Sequence, residues 1–98
     1  MAEIKNSYEF MLIVSTKVGE KTTELVEKFE NLVSEKAQLT KIDRMGKRKL
    51  AYSIRKELEG EYVVFYFDSN PELPQEIDRI CQITDGVLRS LIIKKNHN

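Results

Sequence analysis

An α+β domain is predicted, with its elements in the order β-α-β-β-α-β, and three observations predict it. Runs rich in β-branched and aromatic residues occur at Tyr8–Val14, Tyr62–Phe67 and Val87–Ile93. Two other stretches place apolar residues at helical spacing, Leu25, Val26, Phe29, Leu32 and Val33 in one, Leu73, Ile77, Ile80 and Cys81 in the other. The chain has 98 residues, 41% of them hydrophobic, which supplies one core and leaves no length for a second domain.

The first strand, Tyr8–Val14, is long enough for a central position in a sheet. Strict alternation puts Tyr8, Phe10, Leu12 and Val14 on the core face and Glu9, Met11 and Ile13 on the other. Ser15, Thr16 and Gly19 then punctuate the chain, and an amphipathic helix follows over Glu20–Lys36, its apolar stripe set among Glu24, Glu27, Lys28, Glu30 and Glu35. From Leu39 to Ile54 no helical period fits, so this is a second strand, and Gly46 inside it reads as a bulge. Residues 57–61 read as the hairpin connection to a third strand, Tyr62–Phe67, antiparallel to the second. Asn70 and Pro71 are a cap and a first helical residue for the second helix. The turn signal Asp85-Gly86 leads to the last strand, Val87–Ile93, with a short flexible tail expected from about Lys95. With right-handed crossovers, this order closes into a ferredoxin-like sandwich: a four-stranded antiparallel sheet with both helices on one face, strands one and three central, strands two and four at the edges.

Composition narrows the chemistry. A lone cysteine, Cys81, makes no intramolecular disulfide, and no Cys/His grouping has metal-ligand spacing, so no cofactor or metal is expected. Its place on the apolar stripe of the second helix reads as a buried structural thiol. The only histidine, His97, stands next to the C-terminal residue, a poor position for catalysis. No Gly-rich loop precedes a helix, and the longest apolar run, Phe10–Val14, is far short of a membrane span of ~20 residues. An enzyme, a small-molecule substrate and a membrane are therefore not expected; a cytoplasmic location is.

Sixteen basic residues balance sixteen acidic ones, yet they are not evenly spread. Between Lys41 and Lys56, seven basic residues (Lys41, Arg44, Lys47, Arg48, Lys49, Arg55 and Lys56) meet only Asp43, a local balance of +6. From Val87 onward Arg89, Lys94 and Lys95 meet no acid, whereas residues 57–86 sum to −7. With a Debye length of ~8 Å at physiological salt, a local basic stripe attracts phosphates despite acids elsewhere. Edge strands also carry Lys and Arg simply to block edge-to-edge aggregation. The run Lys47-Arg48-Lys49 exceeds that need and points to an anionic partner.

The sheet face away from the helices is expected to present Met11, Ile13, Tyr62, Val64, Tyr66, Val87, Arg89, Leu91 and Ile93, an apolar patch of the kind that marks an interface. An RNA-recognition motif of the usual kind is disfavoured. The stretch Glu59–Phe67 lacks the preceding base of that motif and has Glu61 at a stacking position.

The residues carry a family resemblance. Tyr8–Val14 as an opening strand resembles the start of the bacterial small-subunit ribosomal protein S6 family. The element Gly46-Lys47-Arg48-Lys49-Leu50-Ala51-Tyr52-Ser53-Ile54, the Gly60-Glu61-Tyr62 triplet and Val87–Lys94 resemble it too, in order over nearly the whole chain. Ser53 departs from it, standing where the family usually has proline, while Tyr52 and Ile54 are retained. The resemblance implies a non-catalytic constituent of the small ribosomal subunit that binds the central domain of 16S ribosomal RNA jointly with small-subunit ribosomal protein S18. It implies an RNA-binding set of Arg89, Lys94, Lys95 and Arg44, and a partner-protein edge of Lys47, Arg48, Lys49 and Tyr52. The reading from another class is a ferredoxin-like regulatory or small-ligand-binding domain dimerising through its sheet face.

Overall fold

The computed structural model describes residues 6–17 and 21–95. Its elements are β1 (Asn6–Ser15), α1 (Lys21–Lys36), β2 (Gln38–Ile54), β3 (Glu57–Ser69), α2 (Leu73–Ile83) and β4 (Val87–Lys95). The expected helix start at Glu20, together with Gly19, His97 and the tail at 96–98, lies outside the described residues.

The four strands form one antiparallel sheet in the order β2-β3-β1-β4. The alternation read from the sequence is the one observed: Phe10, Leu12 and Val14 are fully buried, with Val63, Phe65 and Phe67 beside them from β3. Val26, Phe29 and Val33 of α1 and Leu73, Ile77 and Cys81 of α2 pack into the same cluster, so both helices cover one face. Phe10 anchors it, meeting Phe65 at 5.4 Å and Phe29 edge-on at 6.0 Å between ring centroids. An ion pair from Lys36 to Glu76 links the two helices at the surface.

The α2 helix starts later than expected: Leu73 is its first residue and Glu72 holds the N-cap position, so Asn70 and Pro71 precede it and the proline within the first turn is Pro74. Asn70 Oδ1 still accepts hydrogen bonds from the backbone N–H groups of Glu72 and Leu73, both 3.1 Å, in the turn that leads into the helix. Gly86 closes the turn into β4 at φ +96, and a side chain there would collide with Leu25 Cδ1.

Three further expectations are corrected. The connection between β2 and β3 is not residues 57–61: β3 begins at Glu57, and the turn is the pair Arg55-Lys56, with φ of 50 and 66. Neither residue is one that favours the left-handed region, so the turn carries no ordinary sequence signal. Second, Val87 faces the core and not the outer face. The register of β4 against β1 shifts between Ile13 and Val14, which pair with Arg89 and Val87, leaving Leu88 as the extra residue. Leu88 instead fills the space above Gly60, where its Cδ1 lies 3.5 Å from the position a Cβ would take. Third, the centre of the outer face is covered: Ile13 and Val64 are only 5% and 3% exposed. Leu91 and Ile93, on the β4 edge, are the exposed apolar residues of that patch.

The bulge expected at Gly46 is present, with φ +81 and a register shift between Arg44 and Gly46. Beyond it the hairpin of β2 and β3 continues to the Arg55-Lys56 turn, and the molecule measures 48 × 25 × 21 Å.

Candidate nucleic-acid and partner interface

Strand order divides the candidate residues between two edges. Arg89, Lys94 and Lys95 lie on β4, while Arg44, Lys47, Arg48, Lys49 and Tyr52 lie on β2. Two strands separate these edges, about 14 Å at the usual inter-strand spacing. The expected RNA-binding set is therefore not one cluster: Arg44 stands apart from the other three.

On β4, period two sends neighbours to opposite faces. Arg89 and Lys95 pair with Ile13 and Ser7 and share the outer face, whereas Lys94 pairs with Tyr8 on the helix side. Lys95 Nζ is 3.1 Å from Glu9 Oε2, so its charge is already met. Arg89 and Lys94 are exposed and enter none of the ion pairs among the described residues. Arg89 borders a shallow outer-face depression of about 200 Å³ shared with Met11, Ile13, Tyr62 and Leu91.

On β2, Arg44 Nη2 is 2.9 Å from Glu30 Oε1 of α1, which holds the side chain toward the helix layer. The hairpin register rearranges the charge arithmetic of the linear chain. Lys47 stands opposite Glu61 and Lys49 opposite Glu59, while Arg48 faces Gly60. Cross-strand neighbours lie about 5 Å apart at Cβ, so the two lysines sit in the field of carboxylates and Arg48 does not. Two of the acids that made residues 57–86 so negative, Glu59 and Glu61, thus line the basic run itself. Tyr52 on β2 is 73% exposed, and Leu58 at the start of β3 is 69% exposed.

Lys41 Nζ lies 5.6 Å from the ring centroid of Tyr66, a cation over an outer-face tyrosine. Cys81 is buried, and burial pushes its pKa from 9.0 to about 11 against a smaller opposing effect of the Ser90 side chain, so at neutral pH it is an inert thiol. Among the described residues no group of three or more His, Cys, Asp or Glu side chains is placed to hold a metal, and no helix is long and apolar enough to cross a membrane. Sequence reasoning left three basic residues of the 41–56 cluster without a role: Lys41, and Arg55 and Lys56 at the turn it misplaced.

Fold and surface together define the class, a ferredoxin-like α+β sandwich whose chemistry lies in charged edges and an exposed hairpin. Comparison with known proteins makes the class particular. Residues 7–94 match the family model described as Ribosomal protein S6, and the chain belongs to that family. Small ribosomal subunit protein bS6 of Caldanaerobacter subterraneus subsp. tengcongensis is 47% identical over 90 residues, covering 90% of this chain and 95% of that one. The protein of the same name from Thermoanaerobacter pseudethanolicus is 48% identical at the same coverage, 90% and 95%. The crystal structure of 30S ribosomal protein S6 from Thermotoga maritima superposes with a TM-score of 0.86 at 33% identity, covering 94% of this chain and 89% of that one.

Proposed function

We propose that this chain is a non-enzymatic constituent of the small ribosomal subunit that binds the central domain of 16S ribosomal RNA together with ribosomal protein S18, in the cytoplasm. Family membership supports the ribosomal part of the reading. The observation that carries the RNA contact is the β4 edge, where Arg89 and Lys94 stand exposed and enter none of the ion pairs among the described residues. Such cations neutralise phosphates and position a protein on a helical junction, with little base-specific reading. The β2 edge supplies the protein contact in this reading: Tyr52 is the aromatic anchor, and Lys47, Arg48 and Lys49 flank it with a mixed charge surface that complements a partner better than it would a bare phosphate chain.

Alanine at Arg89 or Lys94 is expected to weaken binding to a central-domain RNA fragment, with S18 present, by about fivefold to tenfold. Alanine at Lys95, whose charge Glu9 already meets, is expected to cost less. Filter binding of the three variants checks this. Equal losses at all three positions would show that the local ion pair is irrelevant, and no loss at Arg89 or Lys94 would remove the β4 edge from the RNA contact.

A further inference from the structure

Register sets where the hairpin of β2 and β3 loses its support. The last residue of β1 paired with β3 is Ser15, opposite Gly60, so residues 57–59 have β2 as their only registered strand neighbour. Residues 49–59 are therefore a two-stranded ribbon, and within it the register jumps from the pair Lys49 and Glu59 to the pair Ile54 and Glu57. Two-stranded ribbons are marginally stable in water, and this one carries two of the four residues assigned to the partner-protein edge, Lys49 and Tyr52. Its direction relative to the body has to come from contacts outside the ladder.

One such contact is specific. Ser15 Oγ donates a hydrogen bond to Glu57 Oε1 at 2.5 Å, across 42 residues of sequence. Ser15 is 3% exposed, and its other polar groups are engaged as well. Its N–H donates to the Gly86 carbonyl at 2.7 Å, its carbonyl accepts from Thr22 Oγ1 at 2.8 Å, and its Oγ accepts from the Lys17 N–H at 3.1 Å. The hydroxyl is thus aimed by α1 and by the turn before β4, and it does not follow the ribbon if the ribbon swings. Among the described residues this is the one side-chain hydrogen bond or ion pair that joins residues 49–59 to the rest of the chain. Arg55, at the turn, lines a groove with Asp78 and Gln82 but enters none of those ion pairs.

We propose that the Ser15–Glu57 hydrogen bond is a latch that presets the hairpin for its protein partner, with Glu57 a positioning residue for Lys49 and Tyr52. This rests on the reading of the β2 edge as the S18 contact and adds what orients that edge before binding. A ribbon already held in its bound direction loses less conformational freedom on association, so the latch raises affinity without adding a contact. A carboxylate suits the task, because hydrogen bonds to an ionised group are roughly twice as strong as neutral ones.

The test compares Ser15→Ala, Glu57→Ala, their double variant, Glu57→Gln and Tyr52→Ala, with unfolding midpoints verifying that each folds. S18 affinity is measured without RNA, and amide exchange is followed at residues 54–59 and, as a reference, at residues 10–12 of β1. Ser15→Ala and Glu57→Ala are each expected to speed exchange in the ribbon and not in the reference strand, and to lose about threefold to tenfold in S18 affinity. The double variant is expected to lose no more than the larger single, since both remove one bond. Glu57→Gln, whose amide oxygen accepts the same bond in weaker form, is expected to fall between Glu57→Ala and the wild-type chain. The two Glu57 variants leave the buried serine in place and decide the matter if Ser15→Ala does not fold.

Unchanged exchange in the ribbon of Glu57→Ala overturns the latch. A loss of S18 affinity in Glu57→Ala with none in Ser15→Ala makes Glu57 a direct contact and overturns it too, as does Glu57→Gln binding as weakly as Glu57→Ala. A loosened ribbon with unchanged S18 affinity, beside a loss in Tyr52→Ala, overturns the positioning role and leaves the β2 reading standing. Unchanged affinity in Tyr52→Ala as well removes both.

Discussion

Burial sets the chemistry of Cys81, and its consequence is a dependence of stability on pH. In the folded chain the thiol keeps its proton up to about pH 11, whereas an unburied thiol loses it from about 9.0. Below pH 9 both states are protonated and the contribution is fully present. As pH rises from 9 to 11 the unfolded state binds fewer protons than the folded one, so stability falls across that window. The difference in unfolding midpoint between the wild-type chain and Cys81→Ala, followed from pH 8 to pH 11, is expected to change in that direction. A difference independent of pH would contradict the assignment. The thiol's place was legible in the sequence because it shares a stripe with Leu73, Ile77 and Ile80. Its pKa was not, since desolvation depends on what the opposite layer brings against it. Arg55 was illegible for a different reason. A turn of two left-handed residues normally announces itself with Gly or Asn, and here the positions hold Arg and Lys.

Strands and helices obey their periodicities closely: β1, β3 and the apolar stripes of both helices follow the sequence reading because each buries one face against a single core. Where a strand departs from strict alternation, sequence reading fails, and at β4 one extra residue moved Val87 inward and put Leu88 over Gly60. The hairpin of β2 and β3 shows the same limit for charge. Counted along the chain, residues 41–56 are strongly basic; folded, Lys47 and Lys49 lie opposite Glu61 and Glu59. The signal was present as alternating Lys and Glu positions in two adjacent strands, but it could be read only once the turn was correctly placed. These pairs are exposed, so their worth is small. Replacing both Glu59 and Glu61 by Lys puts like charges opposite one another and is expected to cost about 0.5–2 kcal/mol in total, read from denaturant midpoints. An unchanged midpoint would show that the cross-strand lysines and glutamates do not sense each other.

The whole molecule has zero formal net charge, and folding explains why neutrality does not preclude RNA. Acids are interleaved with the basic strand on the hairpin, Glu30 holds Arg44, and Glu9 holds Lys95. On the two edges and the β2–β3 turn, Lys41, Arg48, Arg55, Lys56, Arg89 and Lys94 enter none of the ion pairs among the described residues, and they are distributed over an elongated body of 48 Å. A few phosphate contacts of this kind give weak solitary binding with a shallow salt dependence, whereas docking beside a second protein adds surface without adding charge. The most direct measurement is the affinity for a 16S central-domain fragment over a salt series, with and without S18. Without the partner, binding is expected to be weak, with a slope of about −2 to −4 in log–log form, and with the partner much tighter. Tight binding by the chain alone with a steep slope, or no gain from the partner, would contradict the account.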